Sequence, residues 1–319
     1  MLPHTRPERE KRERGNEHVS SCYDARTFMS ASLGALLLVV ASSLAWGGFD
    51  ALRKLLVDRI APLALICLLT LASVPLFAVW VLVDGMPVVR PGYAVPALAS
   101  VILNIAANVA YIAALRKTAL SVTIPLLSLT PAFTSLLAIP LLGERPTWVQ
   151  GLGILMVVAG AIWLNVSGRI PSAELRSWRT EIGALWMVAV AFLWALAIPL
   201  DKLSLERASG PFHGLVLNAG VALGTLAGLA AQGRLRELAE VRTVRGPFAA
   251  ALVVSAAALG LQLIAMQHLW VGLVETLKRG IGNLLAVLLG RLLFAEAVTL
   301  HKIAAVALMV AGVALVLLV

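Results

Sequence analysis

Cysteine is almost absent from this sequence: 319 residues hold two, Cys22 and Cys67. The first stands in a polar stretch and the second inside an apolar run, so they build neither a disulfide framework nor a thiolate metal site. The five histidines (His4, His18, His213, His268 and His301) show no ligand spacing. A glycine loop of the phosphate-cradling kind is missing, and so is any nucleophile motif. These absences argue against an enzyme, and the sequence asks for no catalytic residue, no metal and no cofactor. Charge is scarce too. Only 13% of the residues are charged, where a soluble domain carries roughly 25%. The formal charge of +9 is scattered through short loops, with no basic face interleaved with aromatics. That pattern excludes a nucleic-acid surface and suits loops that set topology and meet anionic lipid.

What the chain has instead is apolar length. It is 60% hydrophobic with a mean hydropathy of +0.91. Ten apolar segments lie at 28–49, 61–83, 92–114, 118–142, 148–166, 182–200, 211–231, 247–270, 273–295 and 300–319. Each is about long enough to cross the hydrocarbon core. An all-α membrane protein follows, with no soluble domain. Most links are short, as in GERPT at 143–147, which predicts that sequential helices lie antiparallel as neighbours. Longer ones run over 167–181 and the basic stretch 232–246. Residues 1–26 form a polar tail of mixed charge, too poor in apolar residues to bury anything, and are expected to be disordered. A basic stretch ahead of residues 29–45 also fits a signal peptide, but the repeat described next needs this segment as a helix of the bundle.

The two halves repeat one another. Trp46, Lys54, Asp58 and Arg59 match Trp194, Lys202, Glu206 and Arg207, each pair 148 positions apart. Glu144, Thr147 and Gly160 match Glu296, Thr299 and Gly312 at an offset of 152. The first repeat spans 28–166 and the second 182–319. Five helices per half is an odd number, so the halves enter the membrane in opposite directions. Ten transmembrane helices in two inverted five-helix repeats are the expected architecture, with a site between halves that opens alternately to either side.

Polar residues inside apolar runs mark where such a site would lie. Residues 273–296 carry Glu275, Lys278, Arg279, Asn283 and Arg291. On a helix, at about 100° per residue, the first four share an arc of about 140°. A charge at the bilayer centre costs at least about 2.5–3.5 kcal/mol, so this stripe has to face partners or water. Arg291, near the far interface, is explained by snorkelling. Asn104, Asn108 and Tyr111 share one face of the third segment, as interhelical glue or as lining of a substrate passage. Gly220, Gly224 and Gly228 lie four apart, a spacing that lets two helix backbones approach closely in lipid.

Several stretches resemble the drug/metabolite transporter superfamily, specifically its EamA-type members. They are AWGG at 45–48 followed by Lys54, the run ALRKTALSVTIPLLSLTPAFTSLLAIPLLGERPTWVQGLGILMVVAGAIWL at 114–164, and a weaker echo at 284–315. The resemblance implies ten helices, a central substrate cavity, both termini in the cytoplasm, and transport of small metabolites by export or exchange. It marks Glu144 and Glu296 as hallmarks, read here as helix-end caps or ion-pair partners. Lys278 and Arg279 stand where the first repeat has Leu126 and Leu127, a departure from the EamA pattern. Phosphate-gripping branches of the superfamily put Lys and Arg in the corresponding helix.

Three readings of the stripe stay open. Lys278 and Arg279 bind a carboxylate or phosphate of the cargo; or Glu275 takes a cation or a proton; or Glu275 pairs with a basic residue one turn on, near the surface. The candidate substrate-binding residues are therefore Lys278, Arg279, Asn283, Glu275, Asn108 and Tyr111. A secondary transporter of a small polar metabolite is the expected function. Proton-coupled efflux of cationic or amphipathic compounds, a lipid flippase, a channel and a structural protein are the alternatives. The expected partners are the substrate and the bilayer, with a homodimer left open. A bacterial cytoplasmic (inner) membrane is expected from compactness and the lack of an organellar transit peptide. The count of Lys and Arg per side opposes the orientation that the resemblance implies.

Overall fold

The computed structural model describes residues 33–53, 55–115, 126–166, 178–294 and 299–317. The tail 1–26, Lys54, Arg169, Arg176 and Glu296 lie outside them. The described residues are helical and contain no strand. In chain order the helices are α1 (Leu33–Arg53), α2 (Pro62–Asp84), α3 (Ala94–Leu115), α4 (Thr130–Leu142), α5 (Trp148–Val166), α6 (Trp178–Leu205), α7 (Gly210–Ala231), α8 (Arg245–His268), α9 (Val271–Phe294) and α10 (Leu300–Leu317). Seven of them, α1, α2, α3, α6, α7, α8 and α10, are long and apolar enough to cross a membrane. Helix α9 has the length, 24 residues, but its four charged side chains set it apart.

Three boundaries differ from expectation. Helix α4 starts at Thr130, with Pro131 in its first turn; of the run expected from 118, residues 118–125 lie outside the described residues, 126–127 are helical and a turn at 128–129 separates them from α4. Proline lacks an N–H and favours the start of a helix over its interior. Helix α6 runs on past residue 200 through Asp201, Lys202 and Ser204, because those polar groups find partners inside the bundle. The link 232–246 contains a 3-10 helix, Leu235–Thr243, whose Glu240 accepts a hydrogen bond from the Ala61 N–H at 2.8 Å.

Short links do not decide which helices pack. Sequential neighbours meet only lightly, and the principal pairings join the two halves: α3 with α6, α5 with α10, α2 with α7, α4 with α6, and α4 with α9. Helix α1 lies against α8, where Ser42 Oγ donates to Ala258 O at 2.8 Å, and against α9, where Gly47 faces Leu285. The expectation of sequential helices as chief neighbours is corrected accordingly. A link holds two helix ends together, but in lipid the contact goes to faces of small residues that allow close approach. Gly220 and Gly224 of α7 show this, closing on Val101 and Ile105 of α3.

Helices α5 and α10 cross backbone against backbone. A Cβ at Gly153 would lie 2.6 Å from the Gly312 carbonyl oxygen, and a Cβ at Gly312 equally close to that of Gly153. Backbone cannot swing aside as a side chain can. Gly153→Leu is therefore expected to destabilise the protein by at least the ~1–3 kcal/mol typical of overpacking. Gly151→Leu, which meets nothing within 4 Å, should leave the thermal midpoint in detergent nearly unchanged.

Candidate functional site

Five helices, α1 and α3 from the first half and α6, α8 and α9 from the second, bring the site together. Glu275 sits one turn into α9 and is only 1% exposed. Its Oε1 accepts a hydrogen bond from Lys278 Nζ, one turn on. Its Oε2 is buried with no hydrogen-bond partner. The Lys278 ammonium also lies over the Trp46 indole of α1, 5.8 Å from the ring centre. Trp46 is held in turn: Nε1 donates to Gln262 Oε1 of α8 at 2.7 Å, and the ring meets Phe49 edge-on at 5.7 Å.

The cluster continues along α1. Arg53 pairs with Asp50 at 2.9 Å, and its guanidinium lies 5.6 Å from the Phe49 ring centre and 5.8 Å from that of Tyr111. Tyr111 of α3 contacts Trp194 of α6 at 6.0 Å. Cations over aromatic faces gain roughly 0.5–2 kcal/mol each and stay available to a ligand on their open side. Lys278 and Arg53 are each balanced by a neighbouring carboxylate. Arg279 is not: no ion pair to it forms among the described residues, and its Nε is buried with no hydrogen-bond partner.

The predicted site residues are only partly united. Glu275, Lys278 and Tyr111 join the cluster. Asn283 turns toward α10, its Nδ2 3.7 Å from Met309 Sδ. Asn108 donates to its own helix at Asn104 O, 2.8 Å away. Arg291 is exposed. Trp46, Arg53 and Gln262 complete the cluster without having been singled out as binding residues. Gln262 could have been found as a polar residue deep in an apolar run.

Glu144 occupies a different place. Its Oε1 accepts from Lys202 Nζ at 2.6 Å, and its Oε2 from the Val271 N–H at 2.9 Å. Lys202 also donates to Leu269 O at 2.7 Å. The hallmark carboxylate thus ties the end of α4 to α6 and to the start of α9, as the helix-end reading expected.

A third polar group joins α3, α6 and α7. His213 is 0% exposed, with Tyr93 OH 3.1 Å from Nδ1 and Asp201 Oδ1 3.1 Å from Nε2. Ser100 Oγ donates to the same Asp201 oxygen. Asn104 Nδ2 donates to Ser100 O at 3.0 Å and to Ser100 Oγ at 3.2 Å. A search for metal-ligand spacing passes over this group, whose members lie on or beside three different helices and include one histidine and one carboxylate. An ionisable residue inside an apolar run was the signal that could have found it.

No curated protein matches this chain. A solved structure described as "Crystal structure of protein" is similar, with a TM-score of 0.71 and 20% identity, covering 89% of this chain and 96% of its own. At that identity the likeness concerns the fold. The model of the EamA-like transporter family matches residues 33–166, which take in α1 to α5. The chain is an integral multi-pass membrane protein whose residues 33–166 match the model of the EamA-like transporter family, part of the drug/metabolite transporter superfamily.

Proposed function

We propose that the chain is a secondary transporter that moves a small metabolite bearing a carboxylate or phosphate, by alternating access, in export or exchange. The observation that carries the reading is Arg279. A buried guanidinium donor without a partner, beside a lysine whose charge Glu275 already balances, leaves one cation uncompensated in the bundle. Such a group calls for an anion, and guanidinium suits planar carboxylate or phosphate recognition. The aromatic rings of Trp46, Tyr111 and Trp194 supply apolar walls.

Alternating access needs two halves related by an inverted repeat, and the helix pairings support one. Helices α2 and α7, α4 and α9, and α5 and α10 are each five apart in order and pack on one another. The pairing of α1 with α8 mirrors that of α6 with α3. At the α5–α10 crossing, Gly153 meets Gly312 and Gly160 meets the Ala305 carbonyl. Shifting residue numbers by the repeat offset of 152 turns each of these contacts into the other. The membrane proposed for it is the bacterial cytoplasmic one.

A second reading rests on the orphaned Glu275 Oε2, which would take a cationic compound. Counterflow in proteoliposomes separates the two. Preloaded vesicles would be offered labelled organic acids, sugar phosphates, amino acids and amines. Trans-stimulated uptake confined to anions is the expected result, and uptake of amines alone would replace the anion reading with the cation one.

A further inference from the structure

Asp201 stands in the interior of the bundle and, among the described residues, pairs with no lysine or arginine; its one ion-pair contact is His213, at 3.1 Å. Among the described residues its Oδ1 accepts both hydrogen bonds, from Ser100 and from His213. The neighbouring Lys202 is committed to Glu144 and the Leu269 carbonyl. His213 faces Asp201 from α7, and Tyr93 stands behind His213 in the turn before α3. Helix α3 presents the neutral Ser100 and Asn104, and α2, packed on α7, presents Phe77 at Gly214. Arg207, at the end of α6, is bonded to the Leu203 carbonyl and lies against Gly92.

The group also has a direction. The loop at Arg90 and the turn at Arg207 meet through a backbone hydrogen bond of 2.8 Å, so Tyr93 lies at one end of the bundle. From there the polar groups run inward: Tyr93, His213, Asp201, Ser100, Asn104, and then Asn108, which donates to Asn104 O. Asn108 is 14 residues into α3, about 21 Å along its axis at ~1.5 Å per residue. An ionised carboxylate accepts only, so the His213 Nε2 proton points at Asp201 and Nδ1 accepts from the Tyr93 hydroxyl. Tyr93 feels the arrangement: burial first, then the charge of Asp201, pushes its phenol above the ordinary range and keeps it a donor.

We propose that Asp201 is the proton-binding site that couples transport to a pH gradient, reached through Tyr93 and His213 and joined to the cargo site by α3. On uptake the His213 Nε2–H bond breaks as an O–H bond forms at Asp201 Oδ1, Tyr93 gives its hydroxyl proton to Nδ1 and regains one from water, and the carboxylate becomes neutral; on release the same transfers run in reverse. Neutralising Asp201 weakens its hold on Ser100 and His213. Helix α3, which carries Asn108 and Tyr111, is thereby loosened from α6 and α7. The inference rests on the transporter reading, but its first test needs no cargo.

Full-length protein in proteoliposomes on a solid-supported membrane is given a downward pH jump, with protons as the only probe. Wild type is expected to give a transient charge displacement that Asp201→Asn abolishes and Tyr93→Phe slows. Asp201→Asn is further expected to keep counterflow of the labelled anion and lose accumulation driven by a pH gradient. A wild type with no transient overturns the proposal, as does an Asp201→Asn protein that still accumulates cargo against a gradient. Equal loss of counterflow and accumulation assigns the network a structural role and overturns it too. Should Asp201→Asn fail to elute as a folded species, Ser100→Ala and Tyr93→Phe must change the transient's rate or pH profile, or the proposal falls. Failure of the transporter reading is a separate result: no counterflow of any compound by wild type.

Discussion

Replacing Lys278 and Arg279 together by glutamine is expected to reduce exchange of anionic cargo by about a hundredfold or more. Each substitution removes a charge-assisted hydrogen bond to the cargo, and two such bonds at ~1.5–3 kcal/mol apiece amount to at least that factor. Lys278 also neutralises the buried Glu275, so the double variant leaves an orphan carboxylate, which is destabilising in its own right. The triple variant Glu275→Gln/Lys278→Gln/Arg279→Gln removes that complication, because no charge of the stripe is left. It is expected to keep the elution profile and thermal midpoint of wild type while losing anion exchange. Glu275→Gln alone releases Lys278 from its partner, and counterflow should then show tighter anion binding. Unchanged flux in the double variant would make the basic pair structural.

Glu144→Ala should cost about 3–5 kcal/mol of stability, the range for breaking a buried ion pair by removing one partner. Side chains of both Glu144 and Lys202 are less than a fifth exposed, so water offers Lys202 little compensation. The substitution also frees the Val271 N–H at the first turn of α9, the helix that positions Glu275 and Lys278. Glu144→Gln keeps an acceptor for that N–H and should lose less. A Glu144→Leu/Lys202→Met pair, with neither charge left buried, should recover part of the loss. Thermal unfolding in detergent, followed by loss of the monodisperse peak, orders the variants: Ala lowest, the double above it, Gln nearest wild type.

Much of the fold is legible because apolar length is so direct a signal in a chain with 13% charged residues. Most helices begin and end within a few residues of their apolar runs. Helix α6 is the instructive exception. Hydropathy stops at Asp201 and Lys202, yet the helix continues, because Ser100 of α3, His213 of α7 and Glu144 just after α4 satisfy the side chains that make the segment look like a loop. Packing order was not legible from link length. Short links say which ends are close, whereas the glycines at 153, 220, 224 and 312 say which faces meet. In the site, the stripe on α9 showed itself by its cost in a membrane. Its partners did not: Trp46 and Trp194 stand out only as a repeat pair, which fits interface anchors and cavity walls alike, and Arg53 follows Trp46 at a spacing without signature. His213 and Asp201 lie 12 apart in sequence, on different helices, so no spacing rule links them.

Access to one site from both sides of the membrane is the claim on which the account turns, and a cysteine at position 108 measures it. Cys22 and Cys67 would first be replaced by alanine, and Asn108→Cys introduced on the α3 face that also carries Tyr111. Sealed vesicles of known orientation would then be treated with a membrane-impermeant thiol reagent from each side in turn. Labelling from both sides, slowed in each case by an anionic cargo identified in counterflow, is the predicted result. Labelling from one side only, or none from either with the protein intact, would contradict alternating access through this site.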